Sequence, residues 1–239
     1  MLCYLNPGRM PMSFLSRLLL GSKRPPFDLS LCLIANRPSF QDEQVFFSKI
    51  QRAVRGGVTC IQLRDHQNDF ATVLKTAQYL KNVIKNVPLF INTPNPFQLV
   101  QMVGAEGIFL EEKYSPTEAR KKLGDKAIIG LSVQTLQDVT DTTQMTEIDY
   151  ISVKVGPSNK TCPKNDIIWG VKGLRIVRKL SPHRLVAVGG LNLDNVEPVY
   201  RELHPDDGVA MAGGLMDLDD PYRTAQKIRT IAQAAKRNP

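Results

Sequence analysis

The sequence predicts an α/β fold, a single (β/α)8 TIM barrel over residues 28–239 with an N-terminal extension over residues 1–27. Three observations carry this prediction. The chain has 239 residues, a length that suits barrels, which run to roughly 200–250 residues as one domain. From residue 29 onward, short β-branched or apolar runs alternate with longer helical patterns, and this alternation repeats eight times. A doubly wound sheet also alternates, but it usually stops at about five or six strands and carries its glycines in the first turn; here the glycine pairs come late.

The elements follow one another in strand-then-helix units joined by short connections. Strands are predicted at 30–35, 59–64, 88–92, 107–111, 127–133, 149–154, 184–190 and 208–213. Helices are predicted near 42–55, 69–86, 95–103, 115–123, 135–145, 171–180, 193–203 and 220–236. The connection over 155–169 is longer than usual for such units, which indicates a functional loop.

The composition excludes several classes of protein. Hydrophobic residues make up 42% of the chain, which excludes disorder, and no stretch approaches the roughly 20 apolar residues of a membrane span. The net charge is +8, but residues 1–27 hold four of the 31 basic residues and no acid, so 27 basic residues face 23 acidic ones in the rest. Aromatic and basic residues are not interleaved, so we expect no nucleic-acid binding.

The extension over 1–27 is expected to be flexible. Its apolar stretch is interrupted by Arg17 and followed by no small-residue cleavage site, which argues against a secretory signal. It faintly resembles an organelle transit peptide; alternatively it is a loosely docked extension, or translation starts at Met10 or Met12.

The cysteines favour a reducing compartment, and we expect a cytoplasmic protein. The four cysteines show no paired short spacing and the chain has three histidines, too few for a recognisable Cys/His metal cluster. Cys32 and Cys60 lie in apolar runs and are predicted to be buried as small hydrophobic residues.

Polar residues recur at the C-terminal ends of five consecutive strands, where barrel enzymes place their active sites. Because alternate residues of a strand face opposite sides, the inward-facing set can be read from the sequence. It comprises Gln62, Arg64, Asn92, Glu111, Ser132, Ser152 and Lys154. The pattern predicts a ligand site; the alternative is that some of these groups only solvate the barrel end or pair with one another.

The last two strands end in glycine pairs at 189–190 and 213–214. The loops after these strands often bind phosphate through backbone N–H groups, and glycine allows a close approach. Gly189, Gly190, Ala212 and Gly213 are therefore predicted to bind phosphate, so the ligand is expected to be a small phosphorylated molecule.

Together these segments resemble the thiamine phosphate synthase family and the related thiazole tautomerase-like proteins. The resemblance covers about 30–235 and rests on the order of several phrases. They are GVTCIQLR (57–64), LFIN (89–92), VGAEGIFL (103–110), ARKKLG (119–124), IIGLSV (128–133), DYISV (149–153), NKT (159–161), VAVGGLNLDNV (186–196) and DGVAMA (207–212).

The resemblance implies a transferase that joins an aminopyrimidine diphosphate to a thiazole phosphate and releases pyrophosphate. The diphosphate leaves first, which calls for Mg²⁺ and cationic side chains. The expected catalytic residues are Arg64 and Ser132, which the resemblance implies, and Lys154, which departs from the family pattern. The implied substrate-binding residues are Gln62, Arg64, His66, Asn92, Ser132, Asn159, Lys160 and Thr161. The implied partners are small phosphorylated heterocycles, and a homodimer is expected from the family type.

The chain departs from both activities of the resembled proteins. Thr93 and Tyr114 stand where the synthases have the carboxylates for Mg²⁺, and His66 and Cys162 stand where they have lysines. Gln134 replaces the histidine of the tautomerase-like proteins.

Glu111 and Lys154 replace glycines of the family pattern and leave several alternatives open. In one hypothesis Glu111 bridges Arg64 and Lys154. In another, Glu111 or Glu112 supplies a relocated Mg²⁺ ligand and Lys154 substitutes for the lost lysine. A third makes Lys154 a Schiff-base amine, as in aldolases, and is less favoured because a nearby carboxylate keeps the amine protonated. The function expected is thus a synthase-like transferase, or a non-catalytic barrel that binds phosphorylated ligands.

Overall fold

The computed structural model describes residues 24–111, 114–156 and 168–237 as a closed barrel of eight parallel strands. Each strand pairs with its neighbours in sequence, and the last strand closes the ring by pairing with the first. The predicted fold class is confirmed. Of the predicted site residues, Glu112, Asn159, Lys160 and Thr161 lie outside the described residues, as does Cys162.

The strands and helices alternate in the predicted order. The strands are β1 (Leu31–Asn36), β2 (Cys60–Arg64), β3 (Leu89–Asn92), β4 (Gly107–Leu110), β5 (Ile128–Val133), β6 (Tyr150–Lys154), β7 (Arg184–Val188) and β8 (Gly208–Met211). The helices are α1 (Glu43–Arg55), α2 (Phe70–Ile84), α3 (Pro96–Val103), α4 (Pro116–Leu123), α5 (Leu136–Thr142), α6 (Gly170–Leu180), α7 (Val196–Glu202), α8 (Gly213–Met216) and α9 (Pro221–Arg237). A 3-10 turn at Arg37–Ser39 and the short α8 were not predicted.

Side-chain caps start several helices directly after the rim of the barrel. The carboxylate of Asp42 accepts from the N–H groups of Gln44 and Val45 at the start of α1, and Asp69 accepts from Thr72 at the start of α2. Such caps satisfy N–H groups that have no partner within the helix. They fix where each βα connection ends, and hence where the rim lies.

An aromatic cluster closes the N-terminal end of the barrel. The Phe27 ring lies 6.3 Å from that of Phe90 and 6.5 Å from that of Tyr150, measured between centroids. The Arg184 guanidinium lies 4.4 Å from the centre of the Phe27 ring, on its outer side. Residues 24–27 of the predicted extension thus contact the barrel, whereas residues 1–23 lie outside the described part.

The interior of the barrel is filled only in its lower part. The buried interior cluster combines the large side chains of Phe90 and Tyr150 with the small ones of Cys32, Cys60 and Ala210. Cys32 and Cys60 are free thiols and buried, as predicted. Among the described residues, no helix is long and apolar enough to cross a membrane.

Candidate active site

A cavity of about 780 Å³ opens at the C-terminal end of the barrel. Residues from all eight strands or the loops that follow them line it. The predicted residues that it brings together are Gln62, Arg64, Asn92, Glu111, Ser132, Lys154, Gly189, Gly190, Ala212 and Gly213. His66 lies beside it and contacts Asn92. The alternation of inward and outward residues therefore predicted the location of these groups, while their roles stay predictions.

Arg64 and Gln62 line the cavity and have no partner among the described residues. Arg64 ends β2, with Asn36 of β1 and Asn92 of β3 as its register neighbours. The side chain of Gln62 is buried, at 5% exposure. Neither side chain forms a hydrogen bond or an ion pair with any residue of the described ranges. A guanidinium without a counter-ion in a concave site favours an anionic ligand.

Glu111 pairs with Asn92 and His66, so its predicted bridge to Arg64 and Lys154 is wrong. His66 Nε2 lies 2.9 Å from Asn92 Oδ1, and Asn92 Nδ2 donates to Glu111 Oε1 over 3.4 Å. His66 Nε2 lies 3.8 Å from the same carboxylate oxygen. No ion pair within 4.0 Å joins Glu111 to either cation in the part of the chain that the structure describes. The amide at the end of the neighbouring strand offers a nearer donor.

The positions of the expected Mg²⁺ carboxylates have structural roles instead. Thr93 is buried. The hydroxyl of Tyr114 donates to the carbonyl of Pro94 over 2.6 Å, and the Tyr114 ring lies edge-on to Phe97, with 6.0 Å between centroids. Tyr114 therefore fastens the loop after β4 to the loop after β3.

The described residues do not fit a Mg²⁺ centre of the implied kind. Mg²⁺ sites of this type use carboxylates together with substrate phosphates. The carboxylates that line the cavity within the described ranges are Glu111, after β4, and Asp217, after α8. Glu111 follows β4, and Asp217 follows α8, which comes directly after β8. The strands β4 and β8 lie on opposite sides of the eight-stranded ring. No group of three or more His, Cys, Asp or Glu side chains within those ranges could hold a metal ion.

The glycines after β7 and β8 bring three loops into backbone contact. Gly189 and Gly190 have φ of +103° and +57°, angles that glycine adopts more readily than other residues. These positive angles depart from the extended geometry of a strand, so β7 ends at Val188 and not at the predicted residue 190. A Cβ at Gly189 would overlap the carbonyl of Gly156, and one at Gly214 would overlap that of Leu191. The N–H groups of Gly189 and Gly190 have no acceptor among the described residues, which suits an oxyanion.

Among the described residues, one carboxylate lines the cavity beside the glycines that follow β8. Asp217 Oδ2 is 2.6 Å from the position that a Cβ of Gly213 would take, and Asp217 lines the cavity. A negative charge there opposes a bound phosphate. Asp217 was not among the predicted site residues, because it follows a helix of four residues that strand alternation does not reach.

Other lining residues were missed although the same alternation could have found them. They are Asn36, in phase with Cys32 and Ile34 on β1, and Gln134, in phase with Ser132 after β5. Ser39 and Asn192 line the cavity from loops and carry no such signal. Ser152 was predicted to face inward, but no role was assigned to it.

The lower part of the cavity is mostly apolar. It is lined by Cys32, Ile34, Phe109, Tyr150, Val186, Val188 and Ala210. A hydrogen bond with Cys32 and burial raise the pKa of the Cys60 thiol, and burial raises the pKa of the Tyr150 phenol. Both groups stay protonated at neutral pH, so the floor is uncharged and the anion-binding groups are confined to the rim.

Comparisons with known proteins agree with this architecture. The family described as thiamine monophosphate synthase matches residues 31–215. The thiamine-phosphate synthase of Albidiferax ferrireducens is 35% identical over 190 residues, which cover 77% of this chain and 84% of the relative. That of Azorhizobium caulinodans is 32% identical over 217 residues, covering 89% and 99%. The solved structure of thiamine phosphate pyrophosphorylase from Pyrococcus furiosus shares the fold, with a TM-score of 0.71 and 23% identity over 87% of this chain and 96% of that one. The chain belongs to the thiamine monophosphate synthase family.

Proposed function

We propose that this chain is a transferase of the thiamine phosphate synthase type, which joins an aminopyrimidine diphosphate to a thiazole phosphate and releases pyrophosphate. The observation that carries the proposal is Arg64 at the rim of the cavity, beside the buried amide of Gln62. Neither side chain is paired with any residue that the structure describes. Family membership supplies the reaction, and these two side chains supply a place for its leaving group.

In this reaction the protein has to stabilise the departing pyrophosphate anion. The bond between the pyrimidine methylene carbon and the diphosphate oxygen breaks, and its electron pair leaves with pyrophosphate. The thiazole nitrogen then forms a bond to the methylene carbon. Arg64 and Lys154 are proposed to neutralise the charge that develops on the diphosphate, while Gln62 and Asn92 donate hydrogen bonds to it.

Lys154 lies in the wall of the cavity, beside the glycine-rich loop that follows β7. It ends β6, and its register neighbour is Val188 on β7. Its Cγ lies 3.2 Å from the position that a Cβ of Gly189 would take, so its stem packs along the glycine-rich loop. An ammonium group at this position is proposed to attract both the diphosphate and the thiazole phosphate. The Schiff-base alternative has no observation in its favour.

Magnesium is implied for the family reaction, but the described residues do not fit it. The relocated pair proposed from the sequence, Glu111 and Glu112, includes one residue outside the described ranges, and Glu111 is engaged by Asn92. Charge neutralisation is therefore proposed for Arg64 and Lys154.

A non-catalytic barrel that binds phosphorylated ligands is the second candidate. The observation in its favour is that Thr93 is buried and Tyr114 fastens two loops where the synthases have carboxylates. In this case the glycines after β7 and β8 would still bind a thiazole phosphate.

An assay of thiamine phosphate formation tests the proposal. Wild type, Arg64→Ala, Lys154→Ala and Glu111→Gln would be compared with Mg²⁺ and with a chelator. Arg55 is exposed on α1, so Arg55→Ala is a matched control. We expect turnover in wild type, a loss of at least about 100-fold in kcat/KM for Arg64→Ala, and no change for Arg55→Ala.

The binding of thiazole phosphate, measured by calorimetry, separates the two candidates. Binding without turnover would favour the second candidate. Neither binding nor turnover in wild type would overturn both.

The cellular setting follows from the same site. We expect small phosphorylated heterocycles as ligands and a cytoplasmic location, which the free thiols of Cys32 and Cys60 support. A homodimer stays a prediction.

A further inference from the structure

Two cysteines occupy paired positions on neighbouring strands at the floor of the barrel. Cys32 on β1 and Cys60 on β2 are register partners, and both belong to the cluster that fills the barrel interior. Their side chains therefore point to the same side of the sheet. Both thiols are free and buried, and the described part of the chain contains no other cysteine. The two residues thus form a dithiol inside the barrel.

The spacing of the two strands suits a disulfide between them. Neighbouring strands lie about 4.7–4.9 Å apart, and the Cα atoms of a disulfide usually lie about 4.4–6.8 Å apart. The Cβ atoms have to approach to about 3.8 Å, which is less than the strand spacing, so β1 and β2 have to move closer at this point. A disulfide that pulls two strands together is strained and easily reduced. This geometry is typical of a reversible disulfide and not of a permanent structural one.

The two thiols already act on each other. The interaction with Cys32 is the largest cause that raises the pKa of the Cys60 thiol, and burial is the second. Cys60 therefore stays a thiol at neutral pH. Because the thiolate is the form that reacts with oxidants, Cys60 is poorly suited to react with an oxidant first.

The two cysteines also differ in how they are reached from the cavity. Cys32 lines the cavity and is 3% exposed, whereas Cys60 is 0% exposed and does not line it. On the other side of Cys32, its register partner on β8 is Ala210, so a small side chain lies beside its sulfur. A small uncharged molecule that enters the cavity therefore meets Cys32 and not Cys60.

We infer that Cys32 and Cys60 are an oxidation site, at which hydrogen peroxide that enters the cavity forms a reversible disulfide between β1 and β2. The sulfur of Cys32 attacks the peroxide, the O–O bond breaks, and Cys32 becomes a sulfenic acid while one water leaves. The sulfur of Cys60 then attacks the Cys32 sulfur, the S–S bond forms, and the hydroxyl leaves with the Cys60 proton as a second water. The two thiols lose two electrons in total, and the peroxide accepts them.

The disulfide connects oxidation to the anion-binding rim. Asn36 and Arg64 lie four residues beyond Cys32 and Cys60 and are register partners where β1 and β2 end. Drawing the two strands together at the floor therefore shifts Arg64 relative to the rest of the rim. This effect on binding rests on the proposed function, in which Arg64 binds the diphosphate.

Oxidation of the full-length chain by hydrogen peroxide tests the inference. Wild type is compared with the double variant Cys3→Ala with Cys162→Ala, in which Cys32 and Cys60 are the remaining cysteines. After oxidation, the mass of the double variant should fall by that of two hydrogen atoms, and peptide mapping of both proteins should find Cys32 linked to Cys60. Calorimetry should show about tenfold weaker binding of pyrophosphate. Dithiothreitol should reverse both changes.

Two further variants in the same background test the order of the steps. Cys60→Ala leaves Cys32 without its partner thiol, so dimedone should trap the sulfenic acid of Cys32. Cys32→Ala should give no dimedone adduct at the same peroxide concentration, because Cys60 does not line the cavity. Neither variant should show the loss of pyrophosphate binding after treatment. If one of them does not fold, the peptide mapping of wild type still decides.

The outcomes separate this inference from the proposed function. If both thiols stay free under peroxide that fully oxidises glutathione in the same solution, the inference is overturned. If the disulfide forms but the Kd for pyrophosphate stays within about twofold, the connection to the rim is overturned and the proposed function stands. If reduced wild type does not bind pyrophosphate, the proposed function fails, while the mass and the peptide mapping still show whether the disulfide forms.

Discussion

In the part of the chain that the structure describes, one carboxylate, that of Asp217, lies beside the predicted phosphate site. It is exposed and lies beside Gly213, next to N–H groups that would face an oxyanion. We expect Asp217→Asn to tighten binding of the thiazole phosphate about threefold, because an exposed like charge contributes less than about 1 kcal/mol. Calorimetry at low salt measures the effect, which should shrink at high salt as screening increases.

Asp219→Asn provides the matched control for that measurement. Asp219 is exposed two residues further along the chain and does not line the cavity. Equal tightening in both variants would show that the overall charge matters and not the position of Asp217.

Glu111 shows what residue types and strand alternation predict and what they do not. Because side chains alternate strictly along a strand, the sequence correctly placed Gln62, Arg64 and Ser132 on the cavity side. It also placed Glu111 there, but the pleat determines the face of a side chain and not its rotamer or its partner. The nearer amide of Asn92 takes the carboxylate, and no sequence pattern reports that competition.

At the scale of elements, the loops after β3 and β4 carry the main departure from the family. Replacing both residues, Thr93→Asp with Tyr114→Asp, should create Mg²⁺ binding with a Kd that calorimetry can detect, because two carboxylates then meet at one side of the rim. Wild type should show none under the same conditions.

Thermal unfolding of the single variant Tyr114→Asp controls for the stability of the double variant. Tyr114→Asp loses the contacts with Pro94 and Phe97. We therefore expect its free energy of unfolding to fall by about 1–2 kcal/mol and its Tm to fall accordingly. Mg²⁺ binding by wild type would contradict our assignment of charge neutralisation to Arg64 and Lys154.

The start of α5 gives an acid-dependent term in stability. Thr135 and Asp138 form a reciprocal capping box. Burial opposes ionisation of Asp138, but hydrogen bonds from Thr135 and Gln134 outweigh it and hold the pKa of this carboxyl below its usual value. The stabilisation is therefore complete above the unfolded-state pKa of about 3.9 and is lost as the pH falls through the lower folded-state pKa.

Urea unfolding between pH 7 and pH 2.5 measures that term. We expect Asp138→Asn to be less stable than wild type at pH 7, by less than about 1 kcal/mol because the group is mostly solvated. The two proteins should converge at the acid end, where wild type loses its carboxylate. A constant difference across the whole range would mean that the charge of Asp138 has no part in the cap.

Element order was predictable, whereas element ends depended on local backbone geometry. Eight repeats of strand and helix patterns are a long-range signal that chance variation does not erase. The end of β7 depends on the positive φ of Gly189. The four residues of α8 are fewer than the window of about 11–18 residues in which a helical period is recognised. The site is built mainly at such ends, so its outline was predictable but its loop residues, such as Asn192, were not.

At the scale of the whole molecule, ligand binding should stabilise the entire barrel. The cavity is lined from every strand end or the loop beyond it, while the Phe27 cluster closes the opposite end. A ligand bound across the rim therefore contacts residues of both the first and the last strands. Because these contacts depend on the intact barrel, unfolding of any part of it releases the ligand. Binding to the folded state alone adds about 2.7 kcal/mol at a ligand concentration of 100 times Kd.

Pyrophosphate in the presence of a chelator is the probe that tests this coupling. For a domain of this size, each kcal/mol raises Tm by about 2–4 °C, so we expect a rise of about 5–10 °C in wild type and in Arg55→Ala. Arg64→Ala should show less than about 2 °C at the same concentration, because the Arg64 guanidinium, which has no counter-ion within the described ranges, is proposed to bind the anion at the rim. An equal rise in Arg64→Ala would place the anion elsewhere. Since the chelator removes divalent cations, a full rise in wild type would also show that the side chains of this barrel hold pyrophosphate without a metal ion.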